Sequence, residues 1–117
     1  MRPIRQKFHV PVFCVDVRVI VAENIQAERR KLSGIFGDAP TNDFIGCCAY
    51  KLNQFAIFLE APTALRRSIV AHEVFHLTHR ILEYRNTKLS DETCEVVALL
   101  HENLTEAVNK ILDAHLK

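Results

Sequence analysis

The chain has 117 residues, of which 49% are hydrophobic, and its 15 basic and 14 acidic residues leave a formal charge of +1. That length bounds a single domain, residues 1–117, with one core and a compact, open site, and excludes a large enzyme carrying a separate substrate-binding domain. The scattered, near-neutral charge gives no footprint for nucleic acid or an anionic membrane, and no segment approaches the ~18 uninterrupted apolar residues of a membrane span.

The N-terminus runs from basic to apolar as a signal peptide does, but Asp16 and Arg18 interrupt the apolar stretch and Pro11 divides it. The expectation is a soluble, unexported protein. Cys14, Cys47, Cys48 and Cys94 lack C-x-x-C spacing, and the adjacent pair suits a disulfide framework poorly. They read as reduced thiols of a cytoplasmic protein, with Cys14, Cys47 and Cys48 half-buried in strands.

Valine-rich residues 10–22 alternate around Asp16 and Arg18 and predict a half-buried strand. Residues 24–37 follow with Ile25, Leu32, Ile35 and Phe36 at helical spacing, Gly37 as C-cap, and Arg29-Arg30-Lys31 as a solvated face. Residues 37–43 have the chemistry of a loop. Residues 44–52 and 55–60 are apolar runs joined at Asn53-Gln54, which reads as a hairpin.

Pro62 suits the first position of a helix that continues to about Arg85. On a helical wheel Val70, Val74, Leu77 and Ile81 make one apolar face, and Phe75 with Leu82 another, so this helix is expected to be central and buried. Ser90 is a good N-cap for a last helix running to about His115, with Val97, Leu100, Leu104, Val108 and Ile111 as its core stripe. The fold class is therefore α+β: a small sheet packed on a central helix and a C-terminal helix.

The central helix carries H-E-x-x-H, "HEVFH" at 72–76. His72 and His76 are four apart, so both rings leave one face a turn apart and can reach one Zn2+ ion. Glu73 sits at the margin of that face, where it can take a proton from an activated water instead of ligating.

An open catalytic zinc site needs a third protein ligand. Two acids on the last helix are candidates, Glu92 and Glu95. Glu95 precedes Val96, Val97 and Ala98 and is expected in a buried stretch, where an unpaired carboxylate is expensive. Glu92 also suits the helix dipole as a first-turn acid. Glu95 is therefore assigned as third ligand, with Glu92 as substitute or as a partner holding a histidine ring.

Residues 72–98, "HEVFH" followed after eighteen residues by "EVVA", resemble the gluzincin metallopeptidases. More closely, "AHEVFHLTHRIL" with "KLSDETCEVVALL" is similar to small phage- and prophage-encoded zinc metallopeptidase-like proteins, related in pattern to minimal gluzincins. The resemblance implies a zincin-like fold in which residues 55–60 form a sheet edge lining the cleft, where a peptide substrate adds as a strand.

His79 extends the motif to H-E-x-x-H-x-x-H, but the helix continues without the glycine turn of a metzincin, so His79 is read as lining the cleft or hydrogen-bonding locally. His101 and Cys94 are alternative metal groups on the last helix, ranked below the two glutamates, while His9 and His115 are expected in solvent. The leading expectation is a zinc-dependent metallopeptidase with Glu73 as general base. The alternatives are a non-catalytic zinc-binding interaction module, such as an inhibitor or adaptor, and a metal-free helical interaction protein.

Overall fold

The computed structural model describes residues 2–39, 46–61 and 67–115. Strands β1 (Ile4–Val10) and β2 (Val15–Ala22) are followed by helices α1 (Ile25–Lys31) and α2 (Ser33–Phe36). Strands β3 (Gly46–Lys51) and β4 (Gln54–Glu60) then lead to α3 (Arg67–Tyr84) and α4 (Cys94–His115). The fold is α+β, with a mixed four-stranded sheet in the order β1-β2-β4-β3.

Residues 10–22 are not one strand. Pro11 lacks the N–H that a ladder needs, and residues 11–14 turn the chain, with Cys14 at φ 52° and exposed rather than half-buried in a strand. The preceding strand β1 pairs antiparallel with β2 from Ile4↔Val21 to Val10↔Val15. Its inward residues Ile4, Phe8 and Val10 alternate with Arg5, Lys7 and His9, a period-2 signal carried by only three apolar side chains.

The expected helix over 24–37 is two helices, broken at Leu32, whose backbone (φ −101°, ψ 14°) leaves the helical region. Asn24 caps α1 through its side chain, which accepts from Ala27 N–H at 3.0 Å. Arg29 does not lie on a solvated face. It is 5% exposed, donates to the carbonyls of Phe36, Gly37 and Asp38, and so closes the end of α2.

The hairpin turn is Leu52-Asn53, with Lys51 paired to Gln54 and Leu52 at φ 53°. Strand β4 pairs parallel with β2 and antiparallel with β3. Residues 55–60 are therefore central and form no sheet edge: both ladders of β4 are already occupied. This corrects the placement of a peptide along 55–60, since a strand buried on both faces and paired on both sides has no backbone groups to offer. Among the described residues the free edges are β1 and β3.

Val17, Val19, Val21, Phe55, Ile57 and Leu59 turn one sheet face toward Val74, Leu77 and Ile81 of α3 and Leu104 and Val108 of α4, making the main core. Ile20, Ala56 and Phe58 turn the other face toward Ile25 and Phe36. The stripe expected on α4 is buried from Leu100 to Ile111, with Val97 half-buried. Pro62, proposed as the first helical position, lies outside the described residues.

Helix α3 is buried on one face only. Phe75, expected in the core, is 63% exposed. Ser90 does act as a cap, with its Oγ accepting from Thr93 N–H at 3.3 Å, but of a turn that precedes α4.

Candidate metal centre

His72 and His76 stand on the solvent face of α3, opposite Val74, Leu77 and Ile81, which fix the helix to the sheet. Their Nε2 atoms are 3.1 Å apart, and the rings meet edge to face with centroids 4.7 Å apart. Without a shared ion, this approach requires one ring to donate Nε2–H to the lone pair of the other. Two imidazole nitrogens each about 2.0–2.1 Å from a shared tetrahedral zinc lie roughly 3.3 Å apart, so the pair already has the spacing of two ligands.

Glu73 leaves α3 toward β3. It is 7% exposed, and burial pushes its carboxyl above the ordinary glutamate value, partly offset by His72 and His76. Gly46, at the start of β3, makes this position possible. A Cβ there would lie 2.9 Å from Glu73 Oε2 and 3.0 Å from its Cγ. The carboxyl thus occupies the space of a missing side chain on the free edge strand.

The edge strand is anchored to α3 beside this contact. The Arg80 guanidinium sits 4.7 Å from the centroid of the Tyr50 ring, and Arg80 also pairs with Glu83 at 3.2 Å. Cys48 lies half-buried on the same strand, and its thiol is pushed up to about 12 by burial, then by Cys47 and Glu73. Burial thus keeps that thiol protonated and lets it pack against the core.

Helices α3 and α4 run antiparallel, as the contacts of Thr78 with His101 and of Arg67 with Asn109 and Asp113 establish. Counting outward from Thr78 and His101 sets Glu95 opposite the C-terminal end of α3, roughly 12 Å along the axis from the level of His76 at 1.5 Å per residue. Glu95 is exposed, not buried as expected, because it lies on the side of α4 away from the Leu100–Leu104 stripe. Glu92 is exposed in the turn before α4.

The structure thus brings together His72, His76 and Glu73, and does not bring Glu95 or Glu92 to them. Among the described residues no set of three His, Cys, Asp or Glu side chains is arranged to hold an ion. The same count sets Glu102 within a residue of the level of His76, on the same exposed side of α4 as Glu95, a position that sequence spacing does not single out because it needs the helix register.

His79 is exposed and lines a groove between α3 and α4. His101 and Cys94 border the same groove. His9 is exposed but pairs with Asp16 at 2.8 Å, and His115 contacts Gln6 at 3.2 Å. No helix is long and apolar enough to cross a membrane among the described residues. No protein-family model, no curated protein and no solved structure matches this chain.

Proposed function

We propose that this chain is a zinc-dependent metallopeptidase of the gluzincin type. The observation that carries the reading is the meeting of His72 and His76 at Nε2, 3.1 Å apart, beside a buried Glu73. A structural histidine pair needs no carboxyl held in a space cleared by glycine. A base with a raised pKa accepts a proton from water more readily than an ordinary carboxylate, and it can hold that proton for a leaving group.

His72 and His76 would hold the ion through Nε2. When bound, zinc supplies Lewis acidity toward a carbonyl and a water. Glu73 would take a proton at its carboxylate and return it to the leaving amine. The substrate would be an extended peptide. Its natural docking edge is β3, whose first residue touches Glu73, in place of residues 55–60.

Glu95 remains the third ligand in this reading, with Glu92 its substitute, and reaching the pair requires the first turn of α4 to move toward it. Glu102 competes through its level on α4. Zinc affinity separates them: Glu95→Ala is expected to weaken binding roughly 10- to 100-fold and Glu102→Ala to leave it unchanged. The reverse result assigns Glu102.

The test of the function is hydrolysis of a peptide library by the zinc-loaded chain. Activity is expected to vanish on chelation, and to fall about 10²- to 10⁴-fold in Glu73→Gln with zinc content intact. Activity unchanged in Glu73→Gln would remove the mechanism. A second reading, a non-catalytic zinc-binding interaction module, rests on the length of 117 residues, short for an enzyme with its own substrate-binding domain. Stoichiometric zinc with no hydrolysis of any peptide would select it.

A further inference from the structure

The groove between the C-terminal half of α3 and the start of α4, about 710 Å³ in volume, begins at Phe75, one residue before His76, and has no part in the mechanism above. Its walls are largely apolar: Phe75, Leu82, Leu89 and Val97. Phe75 and Leu89 are 63% and 73% exposed, so two large apolar side chains stand uncovered on its rim. Phe75 also touches the candidate centre, its ring centroid 6.4 Å from that of His76.

Beside the polar residues of its rim, among them His79, Glu83 and Lys88, the groove holds one half-buried imidazole, His101, which meets the Thr78 hydroxyl. Thr78 Oγ1 donates to Val74 C=O at 2.9 Å, which uses its only hydrogen. With the hydroxyl hydrogen placed on Val74 C=O, its 3.1 Å contact with His101 Nδ1 is donated by the imidazole. The neutral His101 ring therefore carries its proton on Nδ1, and its Nε2 is left as an acceptor. No hydrogen bond to His101 Nε2 forms among the described residues, and His101 lines the groove.

Resting on the peptide-hydrolysing reading, we propose that this groove is the specificity pocket for a tyrosine side chain of the substrate, whose phenol O–H donates to His101 Nε2. The ring would lie against Phe75, Leu82 and Val97. An aliphatic or phenylalanine side chain would cover the same walls but strip water from His101 Nε2 without replacing its donor, and that mismatch is the basis of discrimination. A serine or threonine has the donor but cannot fill the space.

The test is a titration of the metal-free full chain with N-acetyl-tyrosinamide and with N-acetyl-phenylalaninamide, followed by NMR. The tyrosine amide is expected to bind about fivefold tighter, the worth of one neutral hydrogen bond. In His101→Leu the two affinities should come within twofold of each other. Phe75→Ala should weaken both ligands together. Thr78→Val, which leaves the ring in place but frees its tautomer, should reduce the preference and guards against a misfolded His101 variant.

Equal affinities in the unmutated chain, no saturable binding of either amide, or a preference that survives His101→Leu would each overturn the proposal. Because the titration uses neither zinc nor turnover, it is scored apart from the peptidase reading. A chain that prefers the tyrosine amide yet cleaves nothing contradicts only the peptidase reading. A chain that hydrolyses peptides with no preference for tyrosine contradicts only the pocket.

Discussion

At the scale of single residues, Glu73 and Gly46 are best understood as one unit. The carboxyl fills the volume that any larger residue at 46 would claim. Gly46→Ala is expected to keep zinc and lower hydrolysis by about 10- to 100-fold, since a displacement of about 1 Å suffices for such a loss. The measurement is kcat beside zinc content. Burial also makes Glu73 a pH-dependent liability. Its pKa is raised in the folded chain, so the folded state binds the proton more tightly, and stability falls as pH rises from the ordinary glutamate value through the raised one. In metal-free protein, Glu73→Gln should therefore melt above the unmutated chain at pH 7, with the gap closing toward pH 4 in thermal scans. The histidines and the base were legible in the sequence, because i, i+4 spacing alone puts two rings on one face. Gly46 was not, since its value lies in a contact with a residue 27 positions on, which no local pattern encodes. Phe75 was misread for a related reason. A wheel shows that it is apolar but not that α4 stops short of covering it.

At the scale of elements, α3 is held by the sheet beneath it and by α4 along one flank. Leu104 is fully buried where α4 meets the core, and Leu104→Ala is expected to cost roughly 2–5 kcal/mol in urea unfolding. Phe75→Ala, on the exposed side, should stay within about 0.5 kcal/mol, which makes it a clean probe of the groove. The two long helices and the β3–β4 hairpin were legible because their apolar patterns are long or bounded by turn residues. Strand β1 was missed because its outward residues are mostly charged, and the break between α1 and α2 was hidden by apolar spacing that carries straight through Leu32. The third ligand depends on which turns of α3 and α4 lie side by side, and that register is fixed by Thr78 with His101 and by Arg67 with Asp113, none of them visible as a motif.

At the scale of the whole molecule, the sheet order decides where a chain can be added. With β4 paired on both sides, among the described residues only the edge strands β1 and β3 leave a ladder open, and of these two β3 adjoins Glu73. Peptide binding to the zinc-loaded Glu73→Gln chain is expected to slow amide exchange in alternate residues of β3 and to leave β1 unchanged. The crossover order was not legible, because hydrophobic runs report that strands exist and not which are neighbours. The four cysteines, finally, divide by where this architecture places them. Cys47 and Cys48 lie within the edge strand with thiols raised by burial, whereas Cys14 and Cys94 are exposed. The chain thus comes with a natural labelling scheme: brief treatment with a thiol-reactive dye should mark Cys14 and Cys94 alone. In a Cys14→Ser background, a dye on Cys94 sits at the groove and turns its filling into an optical signal.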